Sequence, residues 1–215
     1  MILLDYSQIA LSNIIVQRLN DESMIRHMIL NSIRMYNKKY RDQYGQMVIC
    51  ADGMNTWRKD YFPLYKAHRR KHREESDQDW NEIFRILHLV RDEIKENLPY
   101  KVLHMDGVEA DDIIGSLVMF TQEFGNDEPM MIVSSDKDFI QLQKFNNVKQ
   151  YSPIQKKMVT DDNPRTYAFN HIMRGDGGDG IPNVLSADDT FVTDKTQTPL
   201  RQTKINEWLD YFKEC

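Results

Sequence analysis

Short apolar runs alternate along the chain with longer stretches in which apolar residues recur at helical spacing. Runs of about four to eight apolar residues are typical of buried strands, and a recurrence near 3.6 residues is typical of amphipathic helices. The runs predict five strands, at 2–5, 46–52, 100–106, 129–136 and 148–152. The helical stretches predict helices at 21–40, 79–98 and 109–125. The last of these is predicted to end near Gly125.

Strands that alternate with helices need crossover connections, and crossover connections produce parallel strands. We therefore expect an α/β fold with a mostly parallel central sheet flanked by helices. In sheets of this kind, ligands bind beyond the carboxyl ends of the strands. We therefore expect the reactive side chains of the protein at that edge.

Acidic residues collect where the predicted strands end. Asp5, Asp52 and Asp136 close three strands, and "VEADD" (108–112) begins the helix after a fourth. Because the carboxyl ends of parallel strands share one edge of the sheet, we expect these acids to converge with those of "SSDKD" and "GDGGDG". The converging set is Asp5, Asp52, Glu109, Asp111, Asp112, Asp136, Asp138, Asp176 and Asp179.

Each of these acids, taken singly, also has an ordinary structural explanation. An aspartate at the end of a strand commonly forms a turn or caps a helix. Asp111 and Asp112, in the first turn of a predicted helix, also suit the helix dipole. The repetition of the pattern at successive strand ends favours a shared function over independent caps.

A cluster of ionised carboxylates is unfavourable unless cations neutralise it or some of the groups stay protonated. Carboxylate oxygens without a matching His/Cys constellation select hard ions, Mg²⁺ or Mn²⁺. Two such ions about 4 Å apart are a known device for cleaving phosphodiester bonds. The chain offers no G-x-S-x-G elbow as an alternative nucleophile. We therefore expect a site for two Mg²⁺ ions, with Mn²⁺ as a substitute.

The net charge of −5 hides a basic segment, residues 58–73, which has seven Lys and Arg against one acid, Asp60. Aromatic residues lie between these cations, and such a mixture suits the phosphates and stacked bases of single-stranded nucleic acid. A solvated surface loop is the alternative for a run of charge. Without the nine clustered acids the net charge would be +4, which is compatible with a polyanionic partner.

The 215 residues suit one medium-sized domain, or one domain with an appendage. No apolar run approaches the ~18 residues of a membrane span, and the start of the chain shows no secretory signal. Cys50 and Cys215 do not resemble a disulfide framework, which suits a reducing compartment. We expect a cytoplasmic protein that does not bind a membrane.

Five stretches together resemble the 5′-nuclease (flap endonuclease) superfamily, namely "LLDYSQIALS", "ICADGMNTWRKDYFPLYKAHR", "VEADDIIG", "IVSSDKDFIQL" and "GDGGDGIPNV". The likeness is greatest to the branch of T-even-type bacteriophages and runs to about residue 185. It implies a PIN-like fold and a Mg²⁺-dependent 5′→3′ exonuclease or flap endonuclease. It also implies RNA–DNA hybrids and 5′-ended or flapped DNA as substrates, and primer removal in phage lagging-strand replication as the role.

The resemblance also implies roles for single residues. The first ion would be held by Asp5, Asp52, Glu109 and Asp111. Asp136 would lie between the two ions. The second ion would be held by Asp138, Asp176 and Asp179, with Asp112 nearby. Residues 54–78 would form an arch whose Arg58, Tyr65, Lys66 and Arg69 contact substrate. Lys66 would steady the scissile phosphate, and it joins Asp111 and Asp136 as the residues closest to the chemistry.

Residues 1–184 are expected to form the catalytic domain, and residues 185–215 a truncated C-terminal helical region. Family members continue through a glycine-containing helix-turn-helix that grips duplex DNA, whereas residues 184–204 contain no glycine. A non-catalytic nucleic-acid-binding domain of the same fold is therefore the alternative function. A stand-alone ribonuclease of the related small nuclease fold is a weaker alternative, because it would lack the arch.

The resemblance implies a phage single-stranded-DNA-binding protein and a sliding clamp as partners, and we expect a monomer in the infected bacterial host. Residues 202–209 resemble a clamp-binding peptide. Apolar residues at 205, 208, 209 and 212 lie on one helical face, however, so we prefer a helix that packs on the body of the protein.

Overall fold

Six strands form a sheet in the computed structural model, which describes residues 1–17, 21–123, 127–193 and 195–214. The strands are β1 (Ile2–Asp5), β2 (Met47–Ala51), β3 (Lys101–His104), β4 (Met130–Val133), β5 (Val148–Ser152) and β6 (Lys157–Val159). Their order is β3-β2-β1-β4-β5-β6, and only the β5–β6 pair is antiparallel among these neighbours. The prediction of a mostly parallel sheet flanked by helices is confirmed.

The strand order reverses beside β1. The chain passes from β1 outward to β2 and β3, and then returns to the other side of β1 for β4 and β5. At such a switch point the connections leave the sheet in opposite directions, and a crevice opens beyond the carboxyl ends of the strands. Asp5 is the last residue of β1 and therefore lies at this crevice.

Eight α-helices and a 3₁₀ helix, Lys137–Lys144, belong to the described residues. The helices are α1 (Tyr6–Gln17), α2 (Glu22–Tyr44), α3 (Arg58–Tyr61), α4 (His68–Glu74), α5 (Trp80–Asn97), α6 (Ala110–Glu123), α7 (Pro164–Arg174) and α8 (Gln202–Glu214). Asp21 and Asp79 begin the two long predicted helices, since their side chains accept hydrogen bonds from the backbone N–H of Met24 and Glu82.

The helices differ from the prediction at several points. Helix α2 continues four residues past position 40, to Tyr44, and the next residue is Gly45 with φ of 80°. Helix α1 was not predicted, because it follows β1 with no turn residue between them. Strand β6 and helix α7 were also missed. Gly125, the predicted end of the third helix, and Cys215 lie outside the described residues.

Strands β1, β2 and β4 are buried on both faces. On one face, Ile2, Leu4 and Ile49 join a core with apolar residues of α1, α2 and α5. On the other face, Leu3 and Cys50 join a second core with residues of α6 and β4. Neighbouring residues of β1 thus serve opposite cores, as the pleat of a strand requires. This double burial explains why the strands read as continuous apolar runs rather than alternating ones.

The chain divides into two compact units. The first, Met1–Thr56 with Asp79–Asp162, contains the whole sheet; the second, Trp57–Gln78 with Asn163–Cys215, contains α3, α4, α7 and α8. In the second unit, the Gln202 side chain bonds to Asn170 and Arg174, so α8 packs on α7 as expected for the tail. The predicted boundary between residues 184 and 185 stays a prediction. None of the described helices has the length and apolar character needed to cross a bilayer.

Two glycines of the first unit allow a test of the packing. A Cβ on Gly53 would lie 1.8 Å from the backbone oxygen of Met105, whereas a Cβ on Gly115, inside α6, would meet nothing within 4 Å. We expect Gly53→Ala to lower the free energy of unfolding by about 2 to 3 kcal/mol, because backbone must move to admit the methyl group. Gly115→Ala should raise it by about 0.5 to 1 kcal/mol through helix propensity.

Urea unfolding of both variants followed by circular dichroism measures the two changes. The variants share the same added methyl group, so each serves as the control for the other. Equal changes in the two variants would contradict the close approach of Gly53 to Met105.

Candidate active site

Three acids of the first unit lie at the carboxyl edge of the sheet. Asp5 ends β1, Asp52 follows the last residue of β2, and Asp136 caps the 3₁₀ helix that follows β4. The carboxylates of Asp52 and Asp136 are near enough to Asp5 to raise its pKa. The Asp52 carboxylate also accepts a hydrogen bond of 2.8 Å from the N–H of Ala110, the first residue of α6. Three strands and one helix therefore bring acids to the same edge.

The pKa of Asp5 is shifted by its surroundings. Burial and the neighbouring charge of Asp52 raise the pKa of its carboxyl group to about 7, with a smaller contribution from Asp136. Two hydrogen bonds act in the opposite direction, from the backbone N–H of Gln8 at 3.2 Å and from the hydroxyl of Ser134 at 2.9 Å. The hydrogen bonds do not offset burial and repulsion, so the ionised form of Asp5 is disfavoured near neutral pH.

The acids of "VEADD" are tied to the start of α6. Asp112 accepts a hydrogen bond of 3.0 Å from the N–H of Glu109, and Asp111 accepts one of 2.7 Å from the N–H of Asp112. These contacts are those of a helix N-terminus, where carboxylates are also favoured by the dipole. The structural explanation therefore holds for Asp111 and Asp112.

The acids of "SSDKD" are organised by two residues that the sequence did not single out. The Ser134 hydroxyl accepts a hydrogen bond of 3.1 Å from the N–H of Asp136, and the same hydroxyl donates a hydrogen bond to Asp5. The buried amide of Gln150 in β5 donates to the backbone oxygens of Ser134 and Asp136, at 3.0 and 2.6 Å. Asp136 in turn accepts the N–H of Asp138. Gln150 lies at a buried position of β5 between Lys149 and Tyr151, and a polar residue on the inward face of a strand is the signal that points to it.

Asp176 and Asp179 belong to the second unit and lie in the loop after α7. The backbone of Asp176 pairs with that of Ile181 at 2.8 Å in both directions, which closes the loop. Gly175 has φ of 68°, and a Cβ there would lie 2.3 Å from the Ile181 oxygen, so only glycine fits. The Asp176 carboxylate accepts the N–H of Gly178 at 2.6 Å and lies 3.5 Å from His171 Nε2.

The basic segment contacts Asp179 within the second unit. Tyr65 donates its hydroxyl to Asp179 Oδ2 at 2.8 Å, and Arg69 donates to Oδ1 at 2.6 Å. Lys66 Nζ lies 3.7 Å from the same Oδ1. Three residues predicted to contact substrate are therefore joined to one predicted metal ligand. Local pattern carries no signal for this contact, because 110 residues separate Arg69 from Asp179.

The aromatic residues of the basic segment separate into two kinds. Tyr65 is only 2% exposed, so its ring packs inside the unit and is not presented for stacking. Trp57 and Tyr61 are 44% and 83% exposed, and their rings meet edge to face with centroids 5.7 Å apart. The Arg58 guanidinium lies 4.9 Å from the Trp57 ring centre. The exposed pair with its arginine has the composition of a surface on which nucleic-acid bases stack.

Comparison with known proteins gives concordant results. The family model of the 5′-3′ exonuclease N-terminal, resolvase-like domain matches residues 6–168. Ribonuclease H of Enterobacteria phage T4 is 40% identical over 223 residues, which covers 99% of this chain and 72% of that protein. A 5′-3′ exonuclease of Buchnera aphidicola subsp. Schizaphis graminum is 28% identical over 77% of this chain, and the chain spans about half, 56%, of its length.

Two solved structures of bacteriophage T5 proteins share the fold. The 5′-exonuclease with divalent zinc ions bound has a TM-score of 0.72 at 15% identity, covering 96% of this chain and 82% of that one. A flap endonuclease variant in a pseudo-enzyme-product complex with DNA and metal ions gives the same TM-score and coverage at 16% identity. At this identity the likeness bears on the fold. Together, the family model and the identity to the phage T4 protein show that the chain belongs to the 5′-3′ exonuclease family.

Proposed function

We propose that the chain is a Mg²⁺-dependent 5′→3′ nuclease that hydrolyses phosphodiester bonds of RNA–DNA hybrids and of 5′-ended or flapped DNA. In this role it removes primers during lagging-strand replication of a phage. The observation that carries the proposal is the environment of Asp5, which is buried and has the carboxylates of Asp52 and Asp136 as neighbours. The chain also belongs to a family of nucleases. The phage T4 relative named ribonuclease H and the T5 structures with DNA and metal ions support the same assignment.

The donor set fits a hard divalent cation. Its side chains are carboxylates, which Mg²⁺ and Mn²⁺ prefer, and Asp5 carries an electrostatic penalty that a cation would relieve. The residues proposed to hold the two ions are Asp5, Asp52, Glu109, Asp111, Asp112, Asp136, Asp138, Asp176 and Asp179. Bound divalent ions supply activation of water for attack and stabilisation of the charge on the leaving oxygen.

The chain's own residues bind and orient the substrate. Lys66 is proposed to contact the scissile phosphate and to stabilise the charge that develops on it. Arg58 and Arg69 add positive charge along the same segment, and Trp57 and Tyr61 offer ring surface to unpaired bases. Ser134 and Gln150 hold the backbone and side chains of the acidic edge in place. Attack of water on phosphorus with departure of the 3′ oxygen is expected to leave a 5′-phosphate on one product and a 3′-hydroxyl on the other.

The monomeric state, the cytoplasm of the infected host, the single-stranded-DNA-binding protein and the sliding clamp stay predictions. The Gln202 side chain, the first residue of the clamp-like peptide, bonds to α7 in this structure, so clamp binding through it would require α8 to detach.

Cleavage of a nucleic acid with a free 5′ end tests the proposal directly. The full chain is incubated with Mg²⁺ and a 5′-labelled RNA–DNA hybrid carrying a 5′ overhang, and products are resolved on a denaturing gel. We expect short 5′ fragments, and we expect Asp136→Asn to lower the rate by at least about 100-fold, because the edge loses a charge that the ions require. Asp162→Asn, an exposed acid outside the nine, is the matched control. A parent chain that binds the hybrid without cutting it would favour the non-catalytic alternative.

A second variant addresses the proposed role of Lys66. We expect Lys66→Ala to lower kcat by about 100- to 1,000-fold, because a cation that stabilises the transition state is lost. The Mg²⁺ concentration for half-maximal rate should change little. Lys71→Ala is the control, because Lys71 belongs to the same segment and its Nζ lies 4.0 Å from the Glu75 carboxylate, an acid outside the nine. An unchanged rate at saturating substrate in Lys66→Ala would refute this role.

The raised pKa of Asp5 gives a pH dependence of stability in chelator. Its folded pKa of about 7 exceeds the unfolded value. Its contribution to folding is therefore full below about pH 4 and is lost as the pH rises through about 7. Asp5→Asn removes this loss while keeping an acceptor for the Gln8 N–H. We expect the variant to be more stable than the parent by about 2 kcal/mol at pH 8, and by much less at pH 5.

Urea unfolding in EDTA at the two pH values measures this difference. Adding Mg²⁺ at pH 8 should stabilise the parent and leave Asp5→Asn nearly unchanged. A parent whose stability does not decline between pH 5 and pH 8 relative to the variant would count against the crowded environment of Asp5.

A further inference from the structure

Asp179 is surrounded by donors of the basic segment. Its Oδ2 accepts the Tyr65 hydroxyl at 2.8 Å, and its Oδ1 accepts Arg69 at 2.6 Å with Lys66 Nζ at 3.7 Å. The Asp179 side chain is 19% exposed, and that of Lys66 is 23% exposed. Both carboxylate oxygens are therefore engaged, in a position that is partly withdrawn from water.

The backbone holds the loop of Asp179 in this position independently of the carboxylate. The N–H of Lys66 donates to the Asp179 backbone oxygen at 2.7 Å, and Arg69 Nε donates to the Gly178 oxygen at 2.8 Å. Gly180 has φ of 74°, and a Cβ there would lie 2.7 Å from His68 Nδ1. The loop can approach the segment this closely because glycine occupies that position. A change of the Asp179 side chain alone should accordingly leave the loop in place.

The three donors around Asp179 also have the chemistry of a phosphate site. A guanidinium, an ammonium and a hydroxyl that converge on two carboxylate oxygens can converge in the same way on two phosphate oxygens. Arg69 and Lys66 carry two positive charges, of which Asp179 offsets one. The carboxylate of Asp179 thus stands where an anion of a ligand would bind.

We propose that Asp179 occupies, in the substrate-free protein, the position that a phosphate of the nucleic acid takes on Tyr65, Lys66 and Arg69. Substrate phosphate and Asp179 compete for the same donors, and binding of the phosphate releases the Asp179 carboxylate. The inference rests on the proposed function, because it assumes that the basic segment receives substrate. It goes beyond it by making Asp179 a competitor of the substrate as well as a proposed metal ligand.

Asp176 provides a matched control in the same loop. Its carboxylate accepts a hydrogen bond from the Gly178 N–H and lies beside His171. Neither of these partners belongs to the basic segment. Asp176→Asn and Asp179→Asn remove the same charge three positions apart, and each amide retains a side-chain oxygen that accepts hydrogen bonds. A general gain from lost negative charge appears in both variants, whereas competition for the three donors appears in Asp179→Asn alone.

The competition is measured without metal, in EDTA at low ionic strength. Fluorescence anisotropy follows the binding of a DNA duplex that carries a 5′-phosphorylated single-stranded overhang. We expect Asp179→Asn to lower Kd by about 5- to 10-fold, and Asp176→Asn to change it by less than about 2-fold. In an Arg69→Gln background, the gain from Asp179→Asn should fall below about 2-fold, because one of the contested donors is already missing. Asp179→Ser repeats the test should the amide variant fold poorly, as judged by thermal unfolding.

Equal gains in the two loop variants would overturn the proposal, as would a gain that persists in full in the Arg69→Gln background. Failure of all variants to bind the duplex would overturn it as well. Cleavage in Mg²⁺ is measured separately. A chain that shows the expected binding pattern and no cleavage retains the competition and loses the nuclease activity.

Discussion

Two conditions act in the same direction on the carboxyl group of Asp5, and both disfavour its ionised form. Asp5 ends the central strand beside the switch point of the sheet, where the chain withdraws it from water, and it has Asp52 and Asp136 as neighbours. Either condition alone would raise the pKa of a carboxylic acid, and together they raise it to about 7 in spite of two hydrogen bonds to the carboxylate. A fold does not gain stability from such an arrangement. The crowding of these carboxylates is explained when a divalent cation is part of the functional state, since the attraction of each carboxylate to the cation then outweighs the repulsion among the carboxylates.

The sheet accounts for how this arrangement arises. Parallel strands deliver their carboxyl ends to one edge, so acids that are far apart in the chain arrive together without any long-range recognition between them. The hydrogen bonds among Ser134, Gln150 and the two "SSD" backbone oxygens then fix the approach of the 3₁₀ helix to that edge. Gln150 is buried in β5, where an apolar residue would leave the Ser134 and Asp136 oxygens without this donor. The acidic edge thus depends on an interior amide as well as on the acids.

The sequence predicted what depends on local pattern. The strands β1 to β5 and helices α2, α5 and α6 follow from apolar spacing, and their parallel arrangement follows from the alternation of the two kinds of element. Helix α1 escaped because no turn separates Tyr6 from Asp5, so the sequence shows no boundary between the strand and the helix. The role of Tyr65 was also beyond the pattern. An aromatic residue between cations reads as a stacking surface, whereas its 2% exposure and its bond to Asp179 arise from a contact with a loop more than a hundred residues away.

The loop of Asp179 shows how one motif can serve two purposes. A glycine-rich stretch with two acids is expected to be pliable, yet a Cβ at Gly175 would meet the backbone of Ile181 and Pro182, and a Cβ at Gly180 would meet the His68 ring. Those close approaches bring the acid against Arg69 and Lys66, cations that would otherwise repel one another. Asp179 therefore stabilises the pairing of the two cations when no ligand is present. In the proposed competition the same two cations receive the phosphate, and cations already held in place lose less freedom on binding an anion than cations that are free in water.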